Sequence, residues 1–144
     1  MFCEPVIANE FFKKVVPLLE NAKNTIDICV FDWRWYPHDP GNTVQQFNQC
    51  LVQAVRRGVK VRALVNSDNI AGQLRAVGVE VKKFISTHLL HCKLMIIDDK
   101  IVLTGSHNYT QSAFNANYEL SVILDDVGPN SEFSKYFLRL WQSQ

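Results

Sequence analysis

The sequence lacks the features that mark membrane-spanning and secreted proteins. It contains no run of roughly eighteen apolar residues, the length that a helix needs to cross a bilayer. Glu4 and Glu10 interrupt the apolar residues near the N-terminus, and no basic segment precedes a hydrophobic one, so no signal peptide is predicted. We therefore expect a cytoplasmic protein without stable membrane insertion.

Cysteine is scarce as well, and its spacing is not that of a disulfide framework. The four cysteines stand far apart without a C-x-x-C pair, at Cys3, Cys29, Cys50 and Cys92. Three of them lie in apolar segments, which favours buried free thiols over disulfides or a zinc site.

A strong charge of one sign is also missing, since 15 basic and 14 acidic residues leave a net charge of +1. The basic residues are unevenly distributed, because residues 51–100 hold nine of them and only four acidic ones. This middle region could attract a phosphate backbone, although solvated helix and strand faces explain the same pattern.

The remaining composition, 47% apolar and 20% charged residues, is typical of a soluble globular protein. Helices are predicted over residues 7–22, 43–57, 69–77 and 131–141. Strands are predicted over residues 25–33, 59–66, 79–84, 91–97, 101–106 and 118–124. Strand–helix–strand order predicts parallel crossovers, and a turn at residues 98–100 predicts an antiparallel hairpin. The fold class predicted is α/β, a layered α-β-α sandwich with a mixed, largely parallel sheet, in a single domain over residues 1–144.

One segment carries polar residues at a fixed spacing. It reads H-x-K-x4-D-x6-G-S-x-N without a gap, and the specified positions are His91, Lys93, Asp98, Gly105, Ser106 and Asn108. A chance match at six positions has odds on the order of 10⁻⁸ per starting point. Because alternate residues of a strand face one side, His91 and Lys93 point together, and so do Ser106 and Asn108. The hairpin is thus expected to bring an imidazole, an ammonium, a hydroxyl and an amide together.

This set of groups suits a phosphodiester substrate. Lys93, Ser106 and Asn108 can donate to its non-bridging oxygens, which leaves His91 free to attack phosphorus. Asp98 lies roughly 23 Å from His91 along a strand, so we expect it to hold the hairpin turn. No paired carboxylates accompany the motif, so neither a metal nor another cofactor is predicted.

The motif is identified as the HKD signature of the phospholipase D superfamily, and the chain resembles the small dimeric bacterial endonucleases of that superfamily. The resemblance implies a phospholipase D-like fold and a covalent phosphohistidine on His91 that water resolves. It also implies that Glu119 orients the imidazole, with an exposed strand glutamate as the alternative. Larger members carry two motifs and this sequence has one, so the resemblance implies a homodimer with two His91 side chains across the axis.

The other histidines are poor candidates for a second catalytic imidazole within one chain. His107 alternates with the motif residues on either side of it and should face the opposite way. His88 precedes a predicted bend and His38 lies in a proline- and glycine-containing loop. Each is expected to be structural or solvent-facing.

The stretch over residues 31–36, which reads FDWRWY, follows a predicted strand. Trp33, Arg34 and Trp35 could line the cleft and contact bases and phosphates, or this stretch could touch a bilayer, or the aromatic rings could simply be core. The predicted function is a metal-independent phosphodiesterase, most specifically an endonuclease acting on nucleic acid, DNA or RNA. The alternatives are a phospholipase D-type lipid phosphodiesterase and a catalytically idle nucleic-acid-binding module.

Overall fold

A computed structural model describes residues 2–144 of the chain. The strands are β1 Phe2–Ile7, β2 Thr25–Val30, β3 Lys60–Val65, β4 Glu80–Lys83, β5 Lys93–Ile97, β6 Ile101–Gly105 and β7 Leu120–Asp125. The helices are α1 Phe11–Glu20, α2 Thr43–Arg56, α3 Asp68–Ala76, α4 Gln111–Asn115 and α5 Glu132–Gln142, and a 3-10 turn at Ala8–Glu10 precedes α1.

All seven strands form one sheet in the order β1-β7-β6-β5-β2-β3-β4. The predicted crossovers are confirmed, because β2, β3 and β4 run parallel and are joined by α2 and α3. The predicted mixed sheet is confirmed too, but it is less parallel than expected. From β5 onward the chain folds back on itself strand by strand, so the other four pairings are antiparallel.

Helices cover both faces of the sheet, which confirms the α-β-α layering. Helices α1 to α4 pack on one face, where α1 buries Phe11, Val15 and Leu19 at helical spacing. Helix α5 packs on the other face through Phe137 and Trp141. Helix α1 begins four residues later than predicted, because residues 2–7 form a strand that the sequence pattern did not predict and the 3-10 turn follows it.

Part of the α5 side of the sheet remains uncovered at strands β1, β7 and β6. Ile7 pairs with Leu120 and Pro5 with Val122, so these side chains point to one face together with Cys3. Ile7 is 52% exposed and Leu120 is 62% exposed. A shallow cavity of about 460 Å³ lies over this surface. We call these five residues the open sheet face.

The cysteines are free thiols, as predicted, with Cys29 buried and Cys3 exposed. Within residues 2–144 the longest helix, α2, has 14 residues, and no helix is able to cross a membrane.

Candidate active site

The candidate site lies where strand β2 changes its partner. Pairing of β2 with β5 ends at Val30 and Lys93. Beyond that point the β2 chain forms an isolated parallel bridge between Trp33 and Tyr109, in which Tyr109 N–H donates to the Asp32 carbonyl at 2.9 Å and Arg34 N–H donates to the Tyr109 carbonyl at 3.0 Å. The segment before β5 therefore separates from the sheet, and His91 is exposed there. The prediction of strand over residues 91–97 is wrong for its first two residues for this reason.

The imidazole of His91 is surrounded by Lys93 and an aromatic ring. Lys93 Nζ lies 3.3 Å from Nδ1 and 3.4 Å from Nε2 of His91. The ring centroid of Phe31 lies 4.9 Å from that of His91, and Lys93 Nζ lies 5.6 Å from the same Phe31 centroid. Lys93 therefore places a cationic donor group directly beside the imidazole of His91.

Asn108 is anchored by the residue next to Phe31. Its Oδ1 accepts a hydrogen bond of 3.1 Å from the backbone N–H of Asp32. The amide oxygen is thereby occupied, and the Nδ2 donors have no hydrogen-bond partner among residues 2–144. Phe31 and Asp32, which follow β2, thus contact His91 and Asn108 respectively. The Nδ2 group of Asn108 remains available as a donor.

Ser106 and Glu119 bind each other. Ser106 Oγ donates to Glu119 Oε2 at 2.8 Å and accepts the backbone N–H of Leu120 at 3.0 Å. Asn117 Nδ2 donates to the other carboxylate oxygen at 3.4 Å. The single donor of Ser106 is therefore already used, in contrast to its predicted role as a donor to phosphate.

The predicted hydrogen bond between Glu119 and His91 does not occur within residues 2–144. The sheet order gives the reason, because β6 lies between β5 and β7. His91 precedes β5 and Glu119 precedes β7, so two strand spacings of about 4.8 Å separate them. The prediction used the sequence alone, which does not show that β6 lies between β5 and β7 in the sheet.

Asp98 lies in the β5–β6 turn and joins it to the start of β2. Its carboxylate accepts the backbone N–H of Lys23 at 2.9 Å, of Asn24 at 2.7 Å and of Thr25 at 3.0 Å. Burial alone would raise the pKa of Asp98, but these donors together outweigh it and lower the pKa below its ordinary value. The hairpin itself is confirmed by the antiparallel pairing of β5 and β6.

Gly105 lets strand β6 approach β7 closely. A Cβ atom at this position would overlap the backbone of Ser121 and the carbonyl oxygen of Leu120, and the φ angle is +155°. Glycine is therefore required for packing immediately before Ser106.

His107 faces the interior, away from its two motif neighbours. Its Nε2 lies 2.7 Å from the Ala8 carbonyl oxygen and its Nδ1 lies 2.7 Å from Ser121 Oγ. A carbonyl only accepts, so Nε2 carries the proton and Nδ1 accepts from the serine. Burial lowers the pKa of His107, against the opposing effects of the Ala8 carbonyl and the Glu119 charge. The prediction of a structural histidine agrees with this environment.

A family model described as "Cardiolipin synthase, PLD-like domain" matches residues 15–141. The chain belongs to the PLD-like family. The predicted superfamily is thereby confirmed, and the match includes every residue of the HKD motif.

Other members of the PLD-like family resemble the chain over most of its length. Mitochondrial cardiolipin hydrolase of Xenopus laevis is 31% identical over 137 residues, which cover 91% of this chain. The chain spans about 61% of the length of that relative. Among solved structures, NucT from Helicobacter pylori superposes with a TM-score of 0.77 at 18% identity, covering 99% of this chain and 96% of the other. Nuc from Salmonella typhimurium, a phospholipase D family member, gives 0.76 at 22%, covering 99% and 93%. These two likenesses confirm the predicted fold.

The three residues predicted to contact substrate differ in exposure. Trp33 is buried, with its Nε1 donating to Asn48 Oδ1 at 2.8 Å, which agrees with the core alternative for this residue. Trp35 packs partly against the same core. The Arg34 side chain is 62% exposed and binds the Asp32 carboxylate through two hydrogen bonds of 2.8 and 3.2 Å.

Two features of this PLD-like site were not expected from the sequence. Phe31 packs against the His91 imidazole, and Asn66, which follows β3, donates to the backbone carbonyls of Phe31 and Leu90. Neither residue belongs to the HKD motif. The only sequence signal for Phe31 is its place in the aromatic stretch over residues 31–36. Within the described residues, no group of three or more histidine, cysteine or acidic side chains is arranged to hold a metal ion.

Proposed function

We propose that this chain is a phosphodiesterase, most specifically an endonuclease that hydrolyses DNA or RNA without a metal ion, and that residues 1–144 act as one catalytic domain. One observation carries the proposal. The HKD residues present an exposed imidazole beside an ammonium, with the unpartnered Nδ2 of an anchored amide nearby in the fold. Membership of the PLD-like family supports the same chemistry.

The proposed reaction has two displacements at phosphorus. First a ring nitrogen of His91 attacks, a P–N bond forms, and one P–O ester bond breaks as the leaving oxygen takes a proton from a general acid. Then water attacks phosphorus, the P–N bond breaks, and the water gives its proton to the same group, now a base. Lys93 and Asn108 stabilise the non-bridging oxygens in both steps.

The general acid must stand opposite the attacking imidazole, and we propose that it is the His91 of a second copy. The open sheet face supports such a homodimer, because it is apolar, exposed and continuous with the motif residues Gly105 and Ser106. Glu119 directly precedes Leu120 of that face, and its carboxylate binds Ser106. We propose that in this dimer it orients the imidazole of the second copy.

A nucleic acid is the substrate that the surroundings of the site favour. Arg34, Trp35 and Tyr36 line a cavity of about 430 Å³ together with the carboxylate of Asp32. A guanidinium with aromatic rings suits phosphates and bases, whereas an acyl chain requires a wide apolar groove. The open sheet face is such a surface, but the proposed dimer would cover it.

A phospholipase D-type lipid phosphodiesterase is the second candidate. The similarity to relatives named mitochondrial cardiolipin hydrolase favours it. Ile85 and Leu89, which are 77% and 66% exposed, also lie shortly before His91 and could touch a lipid surface.

The first test incubates the protein in excess EDTA with labelled single- and double-stranded DNA, RNA and cardiolipin vesicles. The His91→Ala variant is expected to be inactive, and the control His88→Ala, an exposed histidine three residues away, is expected to be active. A fully active His91→Ala protein would overturn the proposal, and cleavage of cardiolipin alone would favour the second candidate.

The second test addresses the shared site. Wild-type and His91→Ala chains are refolded together in equal amounts and the activity is compared with that of the wild type alone. If each reaction needs two copies of His91, about a quarter of the activity remains, whereas independent protomers retain about half. The latter result would exclude the shared site.

A further inference from the structure

We propose that Asn66 is a positioning residue for His91, which it holds in place through the backbone. This inference rests on the proposed function, because it concerns the proposed nucleophile. Asn66 lies directly after strand β3, and its Nδ2 donates at 2.9 Å to the carbonyl of Leu90, the residue before His91. The same nitrogen donates at 3.0 Å to the carbonyl of Phe31.

The segment that bears His91 needs such a support. The β2–β5 pairing ends at Val30 and Lys93, and within residues 2–144 no backbone–backbone hydrogen bond outside the strands reaches residues 90–92. The Asn66 amide therefore replaces the missing pairing at the point where the two strands separate. It joins three neighbouring segments, namely the ends of β2 and β3 and the approach to β5.

The two carbonyls that Asn66 binds belong to the residues that determine where the imidazole lies. Leu90 is covalently attached to His91, and the Phe31 ring packs 4.9 Å from the imidazole. A primary amide has two N–H donors, and both are used here. An apolar side chain of the same size would leave both carbonyls without this partner, and His91 could then move relative to Phe31 and Lys93.

The test compares Asn66→Leu with the matched control Asn21→Leu. Asn21 Nδ2 also donates to a carbonyl, that of Pro17 at 2.8 Å, but it lies at the end of α1. With bis(p-nitrophenyl) phosphate as the probe, Asn66→Leu should lower kcat about 10- to 100-fold, because small displacements of a reacting group have effects of this size. KM should change less than about threefold, and Asn21→Leu should match the wild type in both constants.

A spectroscopic measurement tests the same inference without turnover. The ring protons of His91 experience the ring current of Phe31, so Asn66→Leu should shift their NMR signals while Asn21→Leu leaves them in place. Asn66→Ser keeps one donor and should give intermediate values in both measurements; it also serves as the test if Asn66→Leu does not fold.

The outcomes separate the two proposals. An inactive wild type, or an active His91→Ala variant, would overturn the proposed function, and the NMR signals would still decide whether Asn66 positions the imidazole. If His91→Ala is inactive but folded Asn66→Leu keeps wild-type kcat and unshifted His91 signals, the positioning role is refuted and the proposed function stands.

Discussion

Replacing Asp98 by asparagine tests whether the motif aspartate supports the fold rather than the chemistry. Its carboxylate receives backbone N–H groups from Lys23, Asn24 and Thr25, which join the β5–β6 turn to the start of β2. Asparagine keeps one of the two oxygens and replaces the other by an NH₂ group. Even if the amide oxygen takes the place of Oδ1, which accepts from Asn24 and Thr25, the NH₂ group faces the N–H of Lys23, with which it cannot bond, and the negative charge is lost.

The expected loss follows from these contacts. A hydrogen bond to a charged group contributes about 1.5–3 kcal/mol, and a donor near the surface recovers part of this by binding water. Because the N–H groups of Lys23 and Asn24 are at exposed positions, we expect a total loss of about 3 kcal/mol. In a domain of this size that loss lowers Tm by roughly 6–12 °C.

Urea denaturation, followed by circular dichroism, measures the free energy of unfolding of Asp98→Asn and of the control Asp99→Asn. Asp99 has a similar left-handed backbone, with φ of 51° against 55°, but its carboxylate binds no donor among residues 2–144. The control should change stability by less than about 0.5 kcal/mol. Turnover per folded Asp98→Asn molecule should stay within about twofold of the wild type.

The pH dependence gives a further check on Asp98. Its folded-state pKa is lowered, so its contribution is fully present above the unfolded value of about 3.9 and disappears as pH falls through the folded value. The stability curves of the wild type and Asp98→Asn should therefore converge below about pH 4. A loss of under about 1 kcal/mol at neutral pH, or a folded variant without turnover, would refute the reasoning.

Three other changes have definite expected results. Gly105→Ala should destabilise the fold by about 2–3 kcal/mol, because the new Cβ meets the β7 backbone; an unchanged Tm in thermal denaturation would contradict this. Wild-type stability should fall as pH drops below about 6.5, since the unfolded chain takes up a proton that the buried His107, with its lowered pKa, does not. His107→Gln should reduce this dependence in urea denaturation at pH 7.5 and 5.5, and an equal dependence in both proteins would refute the assignment. Prolonged dialysis against EDTA should leave hydrolysis unchanged, and inactivation reversed by added magnesium would show that a metal is required.

Much of the fold could be predicted because its central strands and helices have strong local patterns. The crossovers from β2 to β4 and the β5–β6 hairpin are of this kind. Strand β1 could not be predicted, since its exposed residues and Pro5 do not alternate and it is defined by pairing with β7, over a hundred residues away. The parallel share of the sheet was overestimated for a related reason, because strand order depends on contacts that no local pattern records.

The candidate site shows the same division. The motif spacing singles out His91, Lys93 and Asn108 as candidate catalytic residues, since they flank one hairpin. Ser106 was expected to donate to phosphate and Glu119 to orient His91, but the two side chains bind each other. The sequence does not show which strand lies between β5 and β7, so this contact could not be predicted. Phe31 and Asn66 follow β2 and β3, outside the motif, so its spacing gives no indication of them. The aromatic composition around residue 33 predicts a core and a binding surface equally well.

The change of partner along β2 has a consequence for how the HKD motif is interpreted. Strand β2 itself pairs with β5, which follows the segment that bears His91. The extension of β2 bridges to Tyr109, the residue after Asn108. The relative positions of His91 and Asn108 are thus set by a strand that contributes no motif residue. A homologue could retain every motif position and still be inactive if its counterpart of residues 31–34 were shortened, so the motif alone is an incomplete criterion for activity.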